Sequence, residues 1–106
     1  MNFAVRIVNL YKHLSQNKKE NVLSKQLLRS GTSIGANYAE ATNAISKADF
    51  IAKISISLKE CTESKYWIEL LHRSEYLSDD EYESILSDCK EILALLTTTM
   101  KKSKEK

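Results

Sequence analysis

Proline is absent from this chain of 106 residues, and glycine occurs only twice. Sheet-rich folds turn often and use both residues at their turns, so this scarcity argues against a sandwich or barrel and for helices joined by short links. Cysteine is sparse as well. Cys61 and Cys89 have no Cys-x-x-Cys spacing and no ligand-type near neighbours, so the sequence supports no metal or redox motif and both read as small core residues. No apolar run reaches membrane-spanning length. The stretch Met1 to Leu14 is broken by Arg6 and Lys12, so it reads as neither a signal peptide nor a span, and a cytoplasmic protein is expected. Phosphate loops, dinucleotide fingerprints and zinc spacings are missing too. His13 and His72 fall on different helical segments with no acid at a triad or ligand spacing. No enzyme, catalytic residue, metal or cofactor is therefore expected.

What the chain does contain is organised around Leu27 to Ala41. Read as a helix, Leu27, Ile34, Tyr38 and Ala41 form an apolar stripe at spacings of three, four and seven. Gly31, Gly35 and Ala39 follow at four-residue spacing and form a second stripe almost without side chains, where another helix can approach closely. Each glycine costs about 1 kcal/mol against alanine inside a helix, a loss that packing must offset. Arg29, Ser33, Asn37 and Glu40 make a polar row beside the apolar one. That row admits two readings, a solvated face or a polar network that fixes helix register.

Four amphipathic segments emerge along the chain. Helix 1 runs from about Phe3 to Ser15, with Val5, Val8, Leu10 or Tyr11, and Leu14 inward. After the polar link QNKKEN, Asn21 or Ser24 is placed to cap helix 2, which fades near Asn43. Ser46 and Asp49 resemble a capping box opening a long third helix from Lys47 to about Glu75. Ile54, Ile56 and Leu58 alternate as in a strand, but Phe50, Ile54, Cys61, Ile68 and Leu71 hold helical spacing over the longer window. Ser78 and Glu81 form a cleaner capping box, supported by Asp79 and Asp80. Helix 4 then presents Tyr82, Ile85, Leu86, Cys89, Ile92, Leu93 and Leu96, and a basic tail is expected to fray after about residue 100, following Thr97 to Thr99. The expected fold is all-α, an antiparallel up-down-up-down four-helix bundle spanning residues 1–106 as a single domain. A three-helix domain is the competitor if helix 1 does not pack.

RSGTSIGANYAEA, followed by SKADFIAKISISLKE and a helix holding Glu63, resembles the small four-helix bundle proteins encoded in intervening sequences of bacterial 23S rRNA genes, a family that includes the accessory variability proteins of diversity-generating retroelements. The resemblance covers about Leu10 to Leu96, with its pattern on Arg29, Ser33, Ile34, Asn37, Ala39 and Glu40. It implies a homopentameric ring, and it implies RNA, DNA or a reverse transcriptase as partner. Relatives often carry a tryptophan-containing segment before the first helix, whereas here Met1 stands almost directly before Phe3. Where relatives frequently have proline or serine after the isoleucine, this chain has Gly35 and Ala36, so a less kinked helix 2 is expected. The matching positions also suggest that Arg29 joins Asn37 and one of the carboxylates Glu40 or Glu63 in a partly buried network with Ser33, holding helix 2 against helix 3.

Charge divides the chain further. Residues 1–48 carry a net +5, residues 49–100 a net −6 and residues 101–106 a net +3. Arg6, Lys12, Lys18, Lys19, Lys25, Lys101, Lys102 and Lys104 are the candidates for a nucleic-acid surface, with a solvated helix face as the plain alternative. The same asymmetry permits head-to-tail contacts that close into rings, so a non-catalytic assembly or scaffold module is the second functional reading. Tyr66 and Trp67 are adjacent and cannot both face one core, which places one of them at a boundary or an interface.

Overall fold

A computed structural model describes residues 1–105, so Lys106, the last residue of the expected tail, lies outside the described residues. Four helices follow one another: α1 (Asn2–Gln16), α2 (Leu23–Thr42), α3 (Lys47–Arg73) and α4 (Asp79–Ser103). Cross-helix contacts fix their directions. Arg29, Ser30, Ile34 and Glu40 of α2 meet Glu63, Ser64, Ser57 and Lys53 of α3, so numbering rises along one helix as it falls along the other. Arg6 and His13 of α1 meet Asp88 and Glu81 of α4 in the same opposed sense. The bundle is antiparallel throughout, and α1 packs, which removes the three-helix alternative.

The largest helix-helix interface joins α2 to α3, whereas α1 touches α4 only lightly. Its chemistry explains the closeness. Along α3 the buried positions Ile54, Ser57, Cys61, Ser64, Ile68 and Leu71 recur every three or four residues, with three small side chains in the middle and large ones toward the ends. Small residues let the backbones approach, and the large ones fill the layers on either side. A buried hydroxyl is costly unless it is bonded. Here Ser64 Oγ donates to Ser30 Oγ at 2.9 Å and Ser57 Oγ to the Ile34 carbonyl at 2.8 Å, so no buried side-chain polar atom is left without a partner among the described residues.

Several expected faces are re-registered. In α1 the buried residues are Phe3, Ile7 and Leu14, while Val5 is half exposed, because the core face follows a four-then-seven spacing that starts at Phe3. In α2 the stripe of Leu27, Ile34 and Ala41 is buried, but Tyr38 lies largely outside it. The alternating segment Ile54 to Leu58 is helical, with Ile54 buried and Ile56 exposed. Helix α4 runs three residues beyond Met100, through the threonines. Thr97 and Thr99 return their hydroxyls to the carbonyls of Leu93 and Leu95, which satisfies them within the helix.

The helix ends show one unforeseen device. Neither Asn21 nor Ser24 caps α2 through its side chain; the carboxylate of Glu20 does so, accepting from the backbone N–H of Val22, Leu23 and Ser24 at 3.2, 2.8 and 2.8 Å. Burial pushes the Glu20 carboxyl pKa up, yet these donors outweigh it and hold the pKa below its usual value. At α3, Ser46 Oγ accepts from Asp49 N–H, but Asp49 reaches back to the N–H of Ile45 instead of Ser46, so the box is not reciprocal. The Ser78 and Glu81 box is complete. Left-handed turn positions are filled by Lys19 and Glu75, and both glycines sit inside α2.

Those glycines differ. A Cβ on Gly31 would meet the Ile7 side chain at 3.0 Å, whereas one on Gly35 would meet nothing within 4 Å. The stripe without side chains is therefore a close-approach surface only at Gly31, since Gly35 and Ala39 are exposed. In urea denaturation, Gly31→Leu is expected to lower stability by about 1–3 kcal/mol through overpacking. Gly35→Ala should instead raise it by about 0.5–1 kcal/mol, because the backbone gains helix preference without a clash. A shared sign for the two changes would refute the distinction.

Glu20 gives a second expectation. Because its folded pKa is lowered, its stabilising contribution is complete above the unfolded carboxylate pKa and disappears as pH falls through the folded one. Glu20→Ala should cost about 1–2 kcal/mol at neutral pH and flatten the loss of stability in acid. An acid profile identical to that of the unaltered protein would show that the cap contributes nothing.

Candidate nucleic-acid interface and its supporting contacts

The residues singled out as basic surface do not form one patch. Lys12, Lys18, Lys19 and Lys25 are exposed around the α1–α2 turn, and among the described residues none of them makes an ion pair. Lys101, Lys102 and Lys104 are exposed at the far end of α4. His13 lies beside Glu81 near the α1–α2 turn. At about 1.5 Å of rise per residue, Lys101 is then roughly 30 Å away along α4. The molecule is 48 Å long and only about 20 Å across, so the two clusters sit at opposite ends. Arg6 belongs to neither. Its guanidinium is bonded to Asp88 and to the Ser84 hydroxyl, bracing α1 against α4.

The acidic start of α4 faces the lysine corner. Glu81 is held below its usual pKa chiefly by the Ser78 backbone N–H, with His13 and Lys18 adding favourable charge against the opposing effect of burial. His72 Nε2 lies 2.7 Å from Asp79 Oδ1, and its ring stacks on Tyr82 at a centroid distance of 3.9 Å. Each histidine is thus tied to the first turn of α4. Among the described residues no group of three His, Cys, Asp or Glu side chains is arranged to hold a metal ion.

The polar row on α2 separates into three parts. Arg29 reaches across to α3 and bonds Glu60 at 3.1 Å and also Glu63, which accepts from Trp67 Nε1 at 3.2 Å as well. Ser33 and Asn37 turn back onto their own helix, donating to the carbonyls of Arg29 and Ser33. Glu40 pairs with Lys53 at 3.4 Å instead of with Arg29. The expected five-residue network is therefore an inter-helix ion triad plus two local hydrogen bonds and a separate pair. Glu60, Lys53 and Asp88 were not anticipated as partners, although the three-residue spacing of Glu60 and Glu63 places both on one face of α3.

Large apolar side chains remain exposed. Tyr66 packs edge-on against the half-buried Trp67 at 5.0 Å yet is 59% exposed. Near the start of α1, a groove of about 290 Å³ runs between α2 and α4, lined by Met1, Gly35, Tyr38, Ile92, Leu95 and Thr99. Among the described residues no helix is long and apolar enough to cross a membrane.

Geometry and surfaces together define an antiparallel four-helix bundle held by inter-helix polar braces and presenting a lysine corner and an apolar groove. The model of the 23S rRNA-intervening sequence protein family matches residues 1–98, and the chain belongs to that family. It is similar to a protein of unknown function from the S23 ribosomal protein family of Bacteroides thetaiotaomicron, known from a crystal structure at 1.70 Å resolution. The two are 59% identical, with a TM-score of 0.93 over 94% of this chain and 89% of the other. No curated protein is significantly similar to the chain.

Arg29 is 51% exposed and Glu63 34%, so solvent screens the pair. Arg29→Ala is expected to cost below about 1 kcal/mol at neutral pH. The hydrogen bond from Arg29, opposed by burial, holds Glu63 below its usual pKa, so this contribution is present above the carboxylate range and lost as pH falls through the lowered value. A loss near 3 kcal/mol for Arg29→Ala would show instead that the triad is sealed from solvent.

Proposed function

We propose that this chain is a non-catalytic, self-associating helical module of the cytoplasm that holds an RNA or DNA backbone on the lysine corner of each protomer. The carrying observation is that Lys12, Lys18, Lys19 and Lys25 are exposed around one turn and, among the described residues, have no ion-pair partner. Phosphate contacts need mobile cations that are not already neutralised, and each contact releases counterions. Four lysines on one small protomer give weak, sequence-independent binding. A ring of five copies, the assembly implied by the family resemblance, multiplies that corner and raises the avidity. The names of the matching family and of the similar structure, with their reference to 23S rRNA and to ribosomal protein, favour nucleic acid over an acidic protein.

A second reading is favoured by the exposed Tyr38, Tyr66 and Leu95, which suit a protein-protein contact. In it the bundle is a scaffold or accessory subunit, for example for a reverse transcriptase, without touching nucleic acid itself.

Fluorescence anisotropy with labelled RNA and DNA duplexes across a salt series, joined to sedimentation analysis, separates the two. Binding is expected to be insensitive to sequence and to weaken steeply with salt. Changing Lys18, Lys19 and Lys25 to glutamine should reduce the log–log salt slope by about 1 for each contact per protomer. The same change at Lys101, Lys102 and Lys104 should leave the slope nearly intact. No binding at low salt by a sedimenting oligomer would favour the scaffold reading, and a monomer would remove the ring.

A further inference from the structure

Neither cysteine takes part in the function proposed above, yet their placement is specific. Cys61 on α3 and Cys89 on α4 are fully shielded from solvent and face each other with sulfurs 3.9 Å apart. Each sulfur also lies 3.5–3.6 Å from the other residue's carbonyl oxygen, a mutual approach that shows how closely the two backbones come at this level. A disulfide needs the sulfurs at about 2.05 Å. Closing the remaining distance of roughly 2 Å requires rotation about χ1 together with a small shift of the helices.

We propose that Cys61 and Cys89 are an oxidisable dithiol, converted by a hydroperoxide into a disulfide that pins α3 to α4. One cysteine sulfur attacks one peroxide oxygen, the O–O bond breaks, and water or an alcohol leaves, giving a sulfenic acid. The other cysteine sulfur then attacks that sulfur, the S–O bond breaks, and the hydroxyl leaves as water with the second thiol's proton. Two electrons pass from the two sulfurs to the peroxide, and no other co-reactant is needed. Either cysteine can make the first attack, because each sulfur faces the other residue's carbonyl oxygen in the same way.

The lock has a structural consequence. α4 meets α1 only lightly, and its polar ties to the other helices, His72 to Asp79 and Arg6 to Asp88, lie in partly exposed positions. A covalent link at Cys61 and Cys89 would hold α4 in the interior, where those contacts do not reach. Because both sulfurs are enclosed, peroxide reaches them when α4 separates transiently from its neighbours, so the rate of oxidation reports that opening.

The test treats the reduced full-length protein with hydrogen peroxide in native buffer, blocks remaining thiols with iodoacetamide, and applies intact mass analysis and non-reducing peptide mapping. The expected product is a single chain lighter by two hydrogens, with the Cys61 and Cys89 peptides linked, reversible by dithiothreitol and melting at a higher temperature. Cys61→Ser and Cys89→Ser should each abolish it. Serine already occupies the buried neighbouring positions 57 and 64, and circular dichroism verifies that each variant folds. Should a variant fail to fold, the mass of the unaltered protein decides alone. Sulfinic or sulfonic acid at either cysteine, disulfides only between chains, or two free thiols in the folded protein under conditions that oxidise the urea-unfolded chain would each overturn the proposal.

Discussion

The close seam between α2 and α3 is the constraint on which the remainder of the structure depends. It combines buried serines with branched aliphatic side chains from both helices, so the two backbones approach where side chains are small and interlock where they are large. The hydroxyls of Ser30, Ser57 and Ser64 can lie in this interior only because they bond one another or a backbone carbonyl, and those bonds favour a single register. A one-turn slip of α2 along α3 would leave them unpaired in the core, at a penalty of about 1–3 kcal/mol for each orphaned group.

Around that pair the other two helices are attached more lightly. α1 packs on α2 where Gly31 admits Ile7, and α4 packs on α3 where the two cysteines meet. The contact between α1 and α4 is made by polar struts at its surface, notably Arg6 with Asp88 and Ser84. α1 is also the shortest helix, which leaves the apolar groove between α2 and α4 open beside its first residues. Antiparallel order then distributes the charges. It sends the lysines of the α1–α2 turn and the basic tail to opposite ends, and it brings the acidic opening of α4 to the lysine corner, so the net charge conveys little about any one surface.

Much of this was legible in the residues. The Ser78 and Glu81 spacing specified a helix start because its reciprocal hydrogen bonds are purely local, and the helical periodicity of Leu27, Ile34 and Ala41 marked a core face. What escaped depended on tertiary partners. Ser57 and Ser64 read as polar positions, although they hold the same seven-residue repeat as Ile54, Cys61 and Ile68, because a hydroxyl's burial is decided by an acceptor on another helix. Val5 read as core, since composition cannot choose between two neighbouring faces of a short helix that carries apolar residues on both. Gly31 and Gly35 looked equivalent one turn apart, but a rotation of about 100° per residue carries the second some 40° around the helix, away from Ile7. The lysines lay together in a list of charges and apart in space; their separation followed from topology. Glu20 stood before its helix where asparagine or serine is the usual expectation, and only the path of the turn brings its carboxylate onto the first N–H groups.

Native-state hydrogen exchange, resolved residue by residue, tests the primacy of the α2–α3 seam most directly. The account predicts that amides flanking Ser30, Ile34, Ser57 and Ser64 exchange last and only through global unfolding, while those of α1 exchange earlier through a partial opening that leaves α2 and α3 paired. Slowest exchange in α1, or loss of protection across the α2–α3 seam while α1 remains protected, would contradict it.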